Sequence, residues 1–382
     1  MQTEHQSVLF HTLTTEMGKK IGLATLNLKQ AHNALNLTMV QALTAQMSLW
    51  QRDPNIVAVL LDGAGEKAFC AGGDVRAIYH ASIGRAGEVT DAATAFFTQE
   101  YQLDYLLHCF TKPVIVWGDG IVMGGGVGLM IAASHRIVTE RSQIAMPEVS
   151  IGLYPDVGGS YFLNRMPGKS GLFLGMTAYN MSGADAHYVG IGNHYLNHHD
   201  KSALLDQLAL LPWGDNTHSN HQALTAVLNI MGTACKVPLA SSVLEQHQAL
   251  LDLLMAGSLD DILANVSQLN GSVLEDNPWL AKALNTMKAA SPISLHVVHL
   301  QSRLTDVLGH QPTLAQCFKL ELALSVNCCA KADFIEGVRA LLIDKDRNPQ
   351  WRLTHDKIPA GYAQTLLQSP WNDDNHPLKD LQ

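Results

Sequence analysis

The chain has 382 residues, 47% of them hydrophobic and 15% charged, with a formal net charge of −9. That length suits two or three average domains, or one large domain with an extension, and the apolar fraction supports a sizeable core. The acidic balance argues against a nucleic-acid surface, which needs a basic stripe, but not against a small anionic ligand held by a few local cations.

From the N-terminus, MQTEHQSVLFHTL has neither the basic-then-apolar layout of a secretory signal nor an Arg-rich transit pattern, so a cytoplasmic protein is expected. Ile21 to Leu28 reads as a strand. Thr38 to Arg52 carries Val40, Leu43, Met47 and Trp50 on one helical face. IVAVLL (Ile56 to Leu61) is a buried strand, and no apolar run is long enough to cross a bilayer, so no membrane partner is expected. A helix is predicted over 94–110, a strand from Pro113 to Trp117, a short helix from Gly124, and a strand from Arg136 to Thr139. Ser182 with Asp185 is a capping-box signal for one more helix. From about His199 only helical patterns remain: 204–211, 244–255, 259–269, 292–304 and 314–328. Asp333 and Glu336 are expected to cap another helix that runs to Ile343. The predicted layout is an α/β core over 1–198 and a helical C-terminal region over 199–382.

The six cysteines show no C-x-x-C spacing, and the 18 histidines are scattered without H-E-x-x-H. Buried free thiols are expected, and no metal site. Two glycine clusters remain, CAGGD (Cys70 to Asp74) and MGGGVG (Met123 to Gly128). Neither spells a dinucleotide or P-loop fingerprint. Each reads as a tight turn on its own, and as a source of exposed N–H donors if the two converge on one oxygen. Downstream, MPEVSIGLYPDVGG places Glu148 and Asp156 each directly after a proline. Singly these are turn or cap residues, and Glu100 in TQEY is a solvated helix residue.

Taken in order, KAFCAGGDVRAIY, KPVIVWGDGIVMGGGVG and AMPEVSIGLYPDVGGSYFL resemble the enoyl-CoA hydratase/isomerase (crotonase) superfamily. FFTQEYQLDYLL and DFIEGVRALLIDKDRNPQW resemble its 3-hydroxyisobutyryl-CoA hydrolase branch. The resemblance implies a crotonase-like spiral of ββα units with an all-helical C-terminal half. It implies an acyl-CoA substrate whose thioester oxygen is held by the N–H groups of Gly73 and Gly125. CoA then enters as part of the substrate, with no separate cofactor, and homo-oligomers are in keeping with the superfamily.

Hydratases of the superfamily carry one acid three residues after the second oxyanion glycine and another in the Pro-Glu motif. Here the first position is Gly128 and the second is Glu148. Loss of one acid counts against water addition. The hydrolase branch pairs a glutamate with an aspartate at the spacing of Glu148 and Asp156, which implies that Glu148 is nucleophile or general base and Asp156 its proton-handling partner. Glu100 matches a glutamate that contacts the acyl hydroxyl. The implied reaction is hydrolysis of a short 3-hydroxyacyl-CoA, foremost 3-hydroxyisobutyryl-CoA in valine breakdown. A double-bond isomerase is the alternative within the superfamily, and a non-catalytic acyl-CoA binder or structural subunit the alternative outside it.

Overall fold

A computed structural model of the protein describes residues 6–382, so the first five residues of the N-terminal stretch read above lie outside the described residues. Among the described residues ten strands form two sheets. They are β1 (Val8–Thr14), β2 (Lys20–Leu26), β3 (Ile56–Gly63), β4 (Ala68–Cys70), β5 (Val114–Gly118), β6 (Ile121–Met123), β7 (His135–Val138), β8 (Gln143–Ala145), β9 (Met181–Ser182) and β10 (His194–Tyr195).

The six-stranded sheet has the order β1-β2-β3-β5-β7-β10 and the four-stranded sheet β4-β6-β8-β9. Successive pairs β3/β4, β5/β6 and β7/β8 therefore send one strand to each sheet, which is the expected ββα spiral. Only β1 runs antiparallel to its neighbour in the larger sheet. Buried parallel strands read as continuous apolar runs, and all of IVAVLL in β3 is buried.

The chain divides into two compact units. One holds the chain to Gly73 with Gln102–Ile144 and Met181–Glu245; the other holds Asp74–Tyr101, Ala145–Asn180 and Gln246–Gln382. In the first, Ile21, Leu60, Ile115, Trp117 and Ile137 of the larger sheet pack with Leu204, Leu208, Trp213, Leu224 and Leu228. Each such side chain contributes about 1.5–3 kcal/mol by leaving water. The helices Lys201–Leu210 and Thr217–Thr233 thus belong with the sheet, although they follow residue 198. A linear boundary at 198/199 does not follow this grouping.

No strand follows β10, so the C-terminal half is helical as expected. In the second unit the principal helices are Val75–Ser82, the part of Asp91–His108 up to Tyr101, Pro278–Ala289, Pro292–Gln301 and Leu314–Lys331. The helix Gly183–Tyr188 begins on the predicted Ser182–Asp185 capping box. The expected helix after Asp333 is instead α-helical over Phe334–Val338 and π-helical over Arg339–Ile343. Asp333 does not cap it: its carboxylate accepts from Ser291 Oγ at 2.6 Å and from the Arg352 N–H at 3.0 Å. All six cysteines are free; Cys70, Cys317, Cys328 and Cys329 are buried, Cys235 is half-buried and Cys109 exposed. Among the described residues, no helix is long and apolar enough to cross a membrane.

Candidate active site

In the first unit the two glycine turns meet. Gly72 adopts φ +106°, and a Cβ on it would lie 3.3 Å from the Met123 carbonyl and 3.8 Å from the Gly125 nitrogen. Leu35 N–H donates to the Gly72 carbonyl at 2.8 Å, which ties this turn to the chain ahead of the helix Leu37–Arg52. Gly125 opens the helix Gly125–Ala132, so its N–H is among those with no intrahelical acceptor and sits at the positive end of the helix dipole. A Cβ on Gly126 would lie 2.4 Å from the Cys70 carbonyl, so glycine there lets this helix end approach β4. Gly73 and Gly125 are thereby brought onto adjoining turns. Gly128 is buried within the helix.

In the second unit, three acids are buried together. Glu148 opens a 3-10 turn, Glu148–Ile151, that ends on Gly152 at φ +71°. A Cβ on Gly152 would lie 2.3 Å from the Asp333 carbonyl carbon, so the Pro-Glu turn packs directly onto the backbone that opens the next helical segment. Asp156 lies in the loop before the helix Gly159–Phe162. Glu100 comes from the helix Asp91–His108. Their exposures are 5%, 4% and 3%.

Asp156 carries a donor on its side chain: Tyr101 Oη donates to Asp156 Oδ2 at 2.7 Å. In contrast, Glu100 Oε1 and Glu148 Oε2 are buried without a protein partner. Buried oxygens left bare are costly in a folded chain, and they mark a place where a ligand or water group completes the bonding. Burial and the charge of Asp156 hold the carboxyls of Glu100 and Glu148 well above the ordinary carboxylate range. Asp156 is raised by burial only to about 6, because the Tyr101 hydroxyl and its own backbone favour the anion. Asp156 is therefore the most readily ionised of the three.

A second set of contacts fixes this loop. Glu321, on the helix Leu314–Lys331, accepts from the Gly158 N–H at 2.8 Å and the Ser160 N–H at 2.7 Å. Burial nonetheless carries its carboxyl to about 8. One turn on, Ser325 Oγ lies 2.7 Å from Tyr101 Oη and 2.8 Å from Tyr154 Oη. Gln301 Nε2 donates to the Pro155 carbonyl at 2.6 Å and to Ser160 Oγ at 2.9 Å. Tyr101 and Tyr154 flank the acids in sequence and could have been singled out for that reason. Glu321, Ser325 and Gln301 carry no local signal, since they meet the loop from more than 140 residues away.

A profile described as enoyl-CoA hydratase/isomerase matches residues 21–360. The chain belongs to the enoyl-CoA hydratase/isomerase family. Within the family it is similar to a Danio rerio protein named 3-hydroxyisobutyryl-CoA hydrolase, mitochondrial, at 37% identity over 87% of this chain and 83% of that protein. A Xenopus tropicalis protein of the same name is 38% identical over 92% of this chain and 88% of its own length. Among solved structures of the family, a carnitinyl-CoA dehydratase from Mycobacterium thermoresistibile superposes with a TM-score of 0.81 at 31% identity, over 99% of this chain and all of that one. That likeness spans the spiral and the helical C-terminal half alike.

Proposed function

We propose that this family member hydrolyses a short 3-hydroxyacyl-CoA thioester, foremost 3-hydroxyisobutyryl-CoA, to the free hydroxy acid and CoA. The relatives named for that reaction support the substrate class. The observation that carries the reaction type is the buried group of Glu148, Asp156 and Glu100, together with a glycine at position 128.

In this reading the thioester oxygen is taken by the N–H groups of Gly73 and Gly125, which stabilise the charge that develops on it. Glu148 acts on the carbonyl carbon, either by attack, giving a mixed anhydride, or by activating a water that attacks in its place. Either role requires the Glu148 anion, which burial and the charge of Asp156 disfavour. Asp156, already an anion at neutral pH, is the group that takes the proton. The C–S bond breaks as the tetrahedral centre collapses, the proton passes to the departing CoA sulfur, and water supplies the OH of the acid while its other proton restores the Glu148 carboxyl. Glu100 hydrogen-bonds the substrate hydroxyl. CoA is part of the substrate and no further cofactor or metal is invoked. The proposed partner is the thioester itself, not nucleic acid or membrane, and a homo-oligomer is proposed on family grounds.

A second reading is water addition or loss, favoured by the name of the dehydratase above. It needs a pair of acids at the positions of Gly128 and Glu148, and one is absent. A place in valine breakdown and a cytoplasmic location are proposals of the same kind; the relatives above are named as mitochondrial. Thiol release by Glu148→Gln tests the assignment: kcat is expected to fall at least a hundredfold. Full hydrolysis by that variant would remove Glu148 from the mechanism.

A further inference from the structure

We infer that Tyr101, backed by Ser325, is the positioning residue that fixes the Asp156 carboxylate in its working orientation. This rests on the hydrolase reading above. The inference stands on three hydroxyls in series, on three separate segments of one unit. Tyr101 lies on the helix Asp91–His108, Tyr154 in the loop before Asp156, and Ser325 on the helix Leu314–Lys331.

Each hydroxyl has one proton to give. Tyr101 gives its proton to Asp156 Oδ2. Tyr154 has the Glu321 carbonyl as acceptor at 2.9 Å. Ser325, between the two phenols at 2.7 and 2.8 Å, then donates to one phenol oxygen and so orients that hydroxyl. The Tyr101 ring cannot swing away without unpacking, since it lies 5.8 Å from the Phe97 ring and 5.6 Å from the Phe318 ring. A rigid aromatic holding one oxygen of a carboxylate fixes the direction of the other.

The groups around Asp156 leave this hydroxyl a large task. Glu100 and Tyr101 face it from their shared helix, Glu148 and Tyr154 from the loop segment, and Glu321, Cys328 and Cys329 from the helix Leu314–Lys331. Every one is neutral or negative, and none is a cation. The anion at Asp156 is therefore held by hydrogen bonds without a counter-ion. Serial hydroxyls strengthen one another in a buried setting, so removal of the rear member is felt at the front. Should Asp156 receive the Glu148 proton, the same chain reverses: Asp156 donates to Tyr101, and Tyr101 to Ser325.

Tyr101→Phe deletes the donor and keeps the ring. The pH profile of kcat for 3-hydroxyisobutyryl-CoA hydrolysis should then move its acid limb upward by about one pH unit, with kcat at pH 7 down about tenfold and KM within about twofold. Ser325→Ala should move the limb in the same direction by less, and Ser325→Thr, which keeps a hydroxyl, should restore it. A Tyr101→Phe limb that coincides with wild type, or a loss confined to KM, overturns the inference. Thermal unfolding of each variant verifies its fold, and Ser325→Ala decides the matter if Tyr101→Phe does not fold.

If wild-type protein releases no thiol, the hydrolase reading fails on its own. The inference is then read from the Asp156 carboxyl itself, titrated by carbon-13 NMR in the unliganded full chain. An upward move in Tyr101→Phe supports it, and an unmoved titration overturns it.

Discussion

Three carboxyls that act on one another inside one unit raise the cost of ionising together, and their surroundings rank them. Asp156 has a phenol on it; Glu100 and Glu148 each keep a bare buried oxygen. The same ranking bears on the proton traffic proposed above and favours the protonated form of Glu100, which can donate to a substrate hydroxyl as well as accept from it. Glu100→Ala should therefore cost about tenfold more kcat/KM on 3-hydroxyacyl than on plain acyl thioesters, the worth of one hydrogen bond to a buried group. Equal losses on both, in a paired assay of isobutyryl-CoA and 3-hydroxyisobutyryl-CoA, would refute that contact.

At the scale of elements, the oxyanion turns depend on how closely a helix end approaches a strand. Gly126→Ala puts a Cβ 2.4 Å from the Cys70 carbonyl and 2.8 Å from Cys70 Cβ, where backbone must shift. It should destabilise the protein by about 1–3 kcal/mol in urea unfolding. Gly271→Ala, at another helix start with open space around it, should change stability by less than about 0.5 kcal/mol.

The elements legible in the sequence are those specified locally. β3 announces itself as an apolar run, and the helix Leu37–Arg52 by the face of Val40, Leu43, Met47 and Trp50, all four of which are buried. The Ser182 box and the helical pattern opening at 292 place helix starts to within a residue. What escaped detection is specified at a distance. β4, β6, β8, β9 and β10 are two or three residues long, too short for a period to show. The polar-rich helix Thr217–Thr233 buries only Asn220, Leu224 and Leu228. Asp333 reads as a cap in the sequence because its partners Ser291 and Arg352 lie 42 and 19 residues away. In the candidate site, Glu148, Asp156 and Glu100 were legible through ordered motifs. Ser325 and Glu321 were not, because a serine and a glutamate inside a long helix look alike whether or not they hold a loop.

For the molecule as a whole, buried titratable groups set how stability responds to pH. Burial raises Asp156 to about 6 and Glu321 to about 8. A carboxyl so raised contributes stability that is complete below its unfolded value and is lost as pH rises through its folded value. Buried His108 and His135, lowered to about 4 and about 3, act oppositely: their share is present above 6.5 and lost as pH falls. Stability should therefore decline from pH 6.5 toward pH 8, with Glu321 alone accounting for about 2 kcal/mol of the loss. Urea unfolding at pH 6.5 and 8 measures this, and a steady rise through pH 8 would contradict it.

The central claim, thioester hydrolysis in place of hydration, is tested most directly by one assay on the purified chain. 3-Hydroxyisobutyryl-CoA and crotonyl-CoA are supplied in parallel, with thiol release and loss of the conjugated double bond followed together. The account predicts one thiol released per 3-hydroxyisobutyryl-CoA consumed, and crotonyl-CoA left essentially unhydrated. Rapid hydration of crotonyl-CoA with no thiol released from the hydroxyacyl substrate would contradict it.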